Sequence, residues 1–398
     1  MVRWSAEDRA WIEQQCHAEG FALAGLAAVS SPAEPAAVRE AERFDAWAEA
    51  GRAGEMAWML REDEQGEYVR GHLQRALPWA RSVLVCAMEY GHAEAPRSMD
   101  PAPATQGWIA RYAWTANRSH GEDARPLTTA ALVGATSAAA ESPVGSDYHE
   151  ILLPRLKSIE VALRARFGEE MRLQSYVDTG PVVERVYAER AGMGWTGKNT
   201  CLISQQRGSF LLLGVIVCGA ELAPEAWSVA AADRCGTCTR CLDACPTDAL
   251  IAPRQMDASL CIAYLTIEKK GSIAPELREK MGRQVFGCDI CQDVCPWNRP
   301  GRVLQSSPLP MRTELVNPDL AWLASMSSAE FRRHFAATPL ERTGRNRLLR
   351  NVAIAMGNSG DAKFSQKLRT LAESPSSMVR EAAEWSLARL GIDAGEGE

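Results

Sequence analysis

The chain has 398 residues, 46% hydrophobic and 24% charged, with a formal net charge of −6 at pH 7. It is long enough for two or three domains with sizeable cores, and its composition is that of a globular protein, not a disordered one. The excess of acids excludes a chain that is basic throughout, so any nucleic-acid partner has to be met by a local basic patch.

The N-terminal stretch reads as an amphipathic helix from Ser5 to Glu19, without the apolar centre of a signal peptide. No run approaches the roughly 18 to 20 uncharged apolar residues of a membrane span. A soluble, cytoplasmic protein with no membrane partner is expected. A second helix is predicted over Arg39–Trp47 and a buried strand over Ser82–Met88. Residues 115–146 carry no aromatic side chain and are rich in Ala, Ser, Thr and Gly, which reads as a flexible surface insertion. A helix follows over Tyr148–Phe167, with Ile151, Leu152, Leu156, Ile159 and Leu163 at helical spacing. Then come a strand over Leu173–Val177, a helix over Pro181–Ala191 and a buried strand over Phe210–Cys218. This mixture predicts an α/β or α+β layered domain over residues 1–225. Residues 226–300 form a cysteine segment. Residues 301–398 read as helical, with helices at Asp319–Met326, Ser328–Phe335, Leu340–Gly357, Ala362–Ala372 and Met378–Gly391. Such stacked helix pairs resemble an α-solenoid that packs against the rest of the protein.

Eight of the 12 cysteines lie between Cys235 and Cys295. Cys235, Cys238, Cys241 and Cys245 have the spacing C-x2-C-x2-C-x3-C-P, and Cys288, Cys291 and Cys295 repeat it one cysteine short. Cys261 lies between the halves and can supply the missing thiolate. Three thiolates on a tight loop can hold three corners of one cubane, while the cysteine before Pro points to a neighbouring cluster. The spacing therefore assigns Cys235, Cys238, Cys241 and Cys295 to one four-iron cluster, and Cys245, Cys261, Cys288 and Cys291 to a second. Zinc knuckles would need paired C-x2-C groups and leave the prolines unexplained. Cys16, Cys86, Cys201 and Cys218 read as packed core thiols.

Other features stay open on residue chemistry alone. Asp147 precedes a helix and could simply cap it. Gly192, Gly194 and Gly197 surround Trp195 and Lys198 in a loop that is a turn or a ligand cradle. Arg332, Arg333, His334, Arg342, Arg345, Arg347 and Arg350 make a basic stretch that is a solvated face or a phosphate contact.

The chain resembles the epoxyqueuosine reductases. The resemblance rests on Gly54-Glu-Met-Ala-Trp-Met59, Arg111-Tyr-Ala-Trp114, Asp147-Tyr-His149, Val177-Asp-Thr-Gly-Pro181, Glu189–Thr200, Cys261-Ile-Ala-Tyr-Leu-Thr-Ile-Glu268 and Phe286–Asn298. It spans nearly the whole chain and implies an α+β fold in three parts. These are a cobalamin-binding α/β domain related to reductive dehalogenases, a ferredoxin-like module with two [4Fe-4S] clusters, and C-terminal HEAT-like helices. The implied activity is reduction of epoxyqueuosine to queuosine at the wobble position of tRNA, by cob(I)alamin reduced through the clusters. An external donor, ferredoxin or flavodoxin, would supply the electrons, and a monomer is expected. The resemblance makes Asp147 the proton donor, with a pKa raised by burial. It makes Asp178, Trp195, Lys198 and Asn199 corrinoid contacts, and Arg342, Arg345, Arg347 and Arg350 tRNA contacts. The insertion before Asp147 departs from the family pattern. The rival readings are a corrinoid-dependent, dehalogenase-like reductase of a small molecule and a non-catalytic electron-transfer protein.

Overall fold

The computed structural model describes residues 2–92, 95–115, 147–299 and 309–392. Apart from Thr115, the predicted insertion lies outside these residues.

The N-terminal half is built on an antiparallel sheet of four strands, β1 (Leu23–Ala28), β2 (Ser82–Glu89), β3 (Leu173–Tyr176) and β4 (Leu211–Cys218), in the order β1-β2-β4-β3. The central pair runs in register from Ser82 opposite Cys218 to Glu89 opposite Leu211. Every residue of β2 is buried, because both faces of the sheet are covered, and its sequence shows no polar alternation. Alternate side chains still divide between two cores. Leu84, Cys86 and Met88 pack with helices α1 (Ala6–Ala18) and α3 (Tyr148–Phe167), while Val83, Val85 and Ala87 pack toward α4 (Glu184–Arg190). Helix α2 (Pro35–Glu49) precedes the Gly54–Met59 stretch. Helix α1 starts at a capping box in which Ser5 and Asp8 satisfy each other's backbone amides.

The cysteine segment and the C-terminal helices share one apolar core. Phe286, Ile262 and Leu265 lie in the same cluster as Leu323, Phe335, Val352 and Leu387. Packing is therefore continuous across residue 300. Helix α5 (Ile262–Ile267) joins α6 (Gly344–Ser359), and α6 packs against α7 (Ser377–Arg389). The contact is close at Gly357, where a Cβ would stand 2.7 Å from the Ser386 Cβ. The predicted helix Leu340–Gly357 is divided at Gly344, whose φ of 69° breaks the α geometry.

Arg350 corrects the expected basic face. It is 0% exposed, and its guanidinium donates to the carbonyls of Leu265, Lys269 and Gly271 and to Asn351 Oδ1. Asn351 in turn donates to the carbonyls of Thr266 and Val285. These two side chains satisfy the backbone where α5 ends. Arg350 is thus a structural strut, not a phosphate ligand. Arg350→Ala should lower unfolding stability by roughly 3 kcal/mol or more, because several buried carbonyls lose a charged donor. Thermal or urea unfolding checks this, and a shift below about 1 kcal/mol would remove the strut assignment.

Candidate redox and acid site

The eight clustered thiols fall into two groups in space. Cys241 interacts electrostatically with Cys235 and Cys238, and Cys295 with Cys235 and Cys241. Cys261 interacts with Cys245, Cys288 with Cys261 and Cys245, and Cys291 with Cys288 and Cys261. The structure brings together the two sets that the spacing assigns to two cubanes. All 12 cysteines are free thiols. Among the described residues no three His, Cys, Asp or Glu side chains converge on a single-ion site. A cubane needs something different, thiolates spread over separate corners.

The two sets differ in surroundings. Cys235, Cys238, Cys241 and Cys295 line a recess of about 280 Å³ that opens at the surface. Cys245, Cys261, Cys288 and Cys291 do not line it, although each keeps some accessible area, and burial pushes the Cys261 and Cys288 thiols up.

Trp195, Lys198 and Asn199, read as corrinoid contacts, lie against the cysteine segment. The buried Trp195 indole donates to Cys235 Sγ at 3.4 Å and stacks edge-on to Trp297 at 5.0 Å. Lys198 Nζ donates to the Gly236 carbonyl at 2.7 Å, and Asn199 Nδ2 to the Cys291 carbonyl at 3.3 Å. Gly194 allows this loop to close, since a Cβ there would sit 2.2 Å from the Ile203 carbonyl oxygen. Cys201 also departs from expectation. Its thiol hydrogen-bonds with that of Cys291, whereas Cys16 and Cys86 pair in the sheet core at 3.6 Å, and Cys218 is buried there too. No sequence signal marked Cys201, because its partner is remote in the chain.

The cysteine segment is held to the rest by a buried ion pair. Arg111 reaches Asp293 at 2.5 Å and Asp289 at 3.9 Å, with all three side chains almost fully buried. The Arg111 amide and Trp108 Nε1 also donate to Asp289. Burial pushes the Asp289 carboxyl up to about 6 against the pull of Arg111.

Next to this lies the acid site. Tyr112 packs against Phe286 and, edge-on, against Tyr148, with both centroid distances 5.9 Å. Tyr148 Oη donates to Asp178 at 2.9 Å, and burial, with the charge of Asp178, pushes its phenol up so that it stays protonated. Asp178 adopts a left-handed backbone (φ 57°), which Asp tolerates better than most residues. Asp147 caps α3 by accepting from the His149 amide, and its amide donates to the Ala337 carbonyl at 2.6 Å. Its carboxylate accepts from His149 Nδ1 at 2.5 Å and pairs with Arg342 at 3.3 Å. Burial would raise the Asp147 carboxyl, but the His149 hydrogen bonds and the Arg342 charge outweigh it and hold the group below the ordinary carboxylate range. The expected upward shift is therefore reversed, first by the His149 hydrogen bonds and then by the Arg342 charge.

Arg342 is a partner of Asp147, and its guanidinium lies 5.5 Å over the Tyr148 ring. Arg345 donates to the Met326 carbonyl, and Arg347 to the carbonyls of Thr343 and Ile267. Of the basic stretch, Arg332, Arg333 and Arg342 are exposed. Two buried polar atoms near the acid site have no hydrogen-bond partner among the described residues, His149 Nε2 and Glu184 Oε1. Burial, reinforced by the charge of Asp178, pushes Glu184 up to about 7. Arg70 interacts with Glu184 and Asp178 and covers the half-exposed Trp58 ring at 5.1 Å.

Residues 234–298 match the family model described as "4Fe-4S double cluster binding domain", and residues 70–117 the one described as "Epoxyqueuosine reductase QueG, DUF1730". An epoxyqueuosine reductase of Xanthomonas campestris pv. campestris is 33% identical over 375 residues, covering 94% of this chain and 93% of that protein. The chain belongs to the epoxyqueuosine reductase family. A Pseudomonas aeruginosa member is 35% identical over 87% of this chain and 86% of its own. An epoxyqueuosine reductase solved with a tRNA-Tyr stem loop carrying epoxyqueuosine superposes with a TM-score of 0.77 at 27% identity, covering 97% of this chain and 90% of that one. A Bacillus subtilis member, solved with a catalytic aspartate loop swung out of the active site, gives 0.75 at 26% identity, over 96% and 90%. Family membership makes the chain an oxidoreductase with a double [4Fe-4S] segment. No helix among the described residues is long and apolar enough to cross a membrane.

If the two thiol sets are separate sites, replacing Cys238 and Cys241 together by Ala should remove roughly half the bound iron and spare the inner cluster. Replacing Cys261 and Cys288 should remove the other half. Iron assay and electron paramagnetic resonance of the reduced protein read the result. Loss of all iron from both variants would mean that the sets are not independent.

Proposed function

We propose that the chain converts epoxyqueuosine in tRNA to queuosine, with Asp147 as the proton donor. The observation that carries this is the acid site itself, a partly buried, hydrogen-bonded carboxylate beside Tyr148, whose ring packs on Tyr112 and through it on Phe286, two residues before Cys288. Removing an epoxide oxygen to leave an alkene consumes two electrons and two protons and releases water. The thiol sets supply a route for the electrons, and Asp147 is placed to deliver a proton to the departing oxygen.

Cobalamin fits the face formed by Trp58, Arg70, Asp178, Glu184 and His149. A corrin has flat apolar sides and a rim of amides. The orphaned His149 Nε2 and Glu184 Oε1 could meet those amides, and the half-exposed Trp58 ring an apolar side. Bound there, cobalamin would supply a strongly reducing cobalt centre to the epoxide carbon. Tyr148 keeps Asp178 fixed by its hydrogen bond, and His149 orients the Asp147 carboxylate.

The C-terminal helices are read as a HEAT-like face for the tRNA, with Arg332, Arg333 and Arg342 as its phosphate ligands. Arg342 then has two roles. In the free protein it pairs with Asp147 and keeps it ionised. A substrate phosphate that draws Arg342 away would let burial raise the carboxyl toward the protonated form that an acid needs. The cytoplasm, where tRNA is modified, and a monomeric state complete this reading.

Two variants test it in the anaerobically reconstituted, reduced protein, with nucleoside mass spectrometry following an epoxyqueuosine-bearing stem loop. Asp147→Asn should slow the single-turnover rate by about 100-fold or more. Unchanged turnover would remove the acid assignment. Because the protonated carboxyl is the active form, the rate should fall as pH rises through its pKa. Arg342→Gln removes the cation and should move that falling limb to higher pH, and an unmoved limb would disconnect Arg342 from the acid.

A further inference from the structure

We infer that the surface recess over Cys235, Cys238, Cys241 and Cys295 is the docking site for an acidic one-electron carrier protein, and that Lys198, Arg234, Arg240 and Arg299 steer it there. This rests on the reading of the chain as a reductase, and it adds where its electrons enter and what recognises their carrier.

Position decides the direction. The outer set lines a recess that opens at the surface and also carries the Trp297 ring, and none of the inner thiols lines it. Phe286, two residues before Cys288, packs on Tyr112 beside the acid site. A macromolecular donor reaches the outer set through the recess.

Charge decides the partner. The chain carries a formal net charge of −6, so an acidic protein is repelled by it on average. The recess reverses that sign locally. Its lining holds four cationic side chains and, among the described residues, no carboxylate. Arg234, Arg240 and Arg299 are exposed. The nearest acids are engaged, Asp233 with Arg254 and Asp243 with Thr239. A basic rim around a redox centre on an otherwise acidic protein selects a small acidic carrier by electrostatic steering, which raises encounter rates and weakens with salt. RNA could also meet a basic rim, but it gains nothing from lying over thiolates.

Each encounter passes one electron from the reduced carrier to the outer cluster, oxidising the carrier by one electron and reducing the cluster by one. The two-electron removal of an epoxide oxygen therefore takes two encounters.

The test uses the full chain with its clusters reconstituted anaerobically, and reduced flavodoxin as the probe. Stopped-flow absorbance follows bleaching of the clusters, without tRNA. The wild-type bimolecular rate should fall steeply with ionic strength. Arg234→Glu/Arg240→Glu/Arg299→Glu should slow it at least about tenfold and flatten the salt dependence. Arg240→Gln/Arg299→Gln, a milder change away from Cys235, should fall between. Photoreduction by the small neutral reductant 5-deazaflavin should bleach all three proteins to the same extent, which verifies intact clusters. Wild-type rates and salt dependence in the variants would overturn the proposal. Because tRNA turnover is not read here, failure of the reductase reading would appear separately, in the Asp147→Asn comparison.

Discussion

A buried guanidinium holds the two halves of the site in register. Arg111 lies under the rings of Trp108, Trp114 and Phe210 and reaches the carboxylates of Asp289 and Asp293. Those aspartates alternate with Cys288, Cys291 and Cys295 along the chain. The residue after Arg111 is Tyr112, the ring between Phe286 and Tyr148. One ion pair thus ties the cysteine loop to the residues beside Asp147. Removing either charge would strand the other in a nearly water-free interior, which costs far more than the pair contributes when intact.

Electrostatics on the two sides of the inner thiols are built differently. On the outer side the cations rim an open recess. On the inner side they are committed: Arg342 to Asp147, Arg111 to two aspartates, Arg350 to main-chain carbonyls. The same residue type serves attraction in one place and rigidity in another, and burial separates the two uses.

Local pattern made some of this legible. The strands Ser82–Glu89 and Leu211–Cys218 and the helix Tyr148–Phe167 stand close to where their apolar runs predict them. The thiol sets were readable because cubane geometry restricts the spacing of their ligands. Strand β1 was not readable. Leu23–Ala28 contains no β-branched residue and becomes a strand only because β2 offers it an edge. The individual partners of the arginines of the C-terminal half were not readable either. Arg342, Arg345, Arg347 and Arg350 are neighbours in sequence, yet one meets a carboxylate, two meet loop carbonyls and one is buried. The contacts of Trp195, Lys198 and Asn199 with the cysteine segment were not readable, because a glycine-rich loop does not announce what it closes over.

The anchoring of Thr115 and Asp147 has a consequence for how the family can vary. Thr115 bridges to Met311, and the Asp147 amide is tied to Ala337, so both ends of the interval 116–146 are clamped to the C-terminal part of the chain. With its ends held, an interval can lengthen at a penalty that grows only logarithmically with its length. The position of Asp147 is then decoupled from whatever evolution inserts immediately before it, and this junction is free to diversify while the carboxylate stays in place.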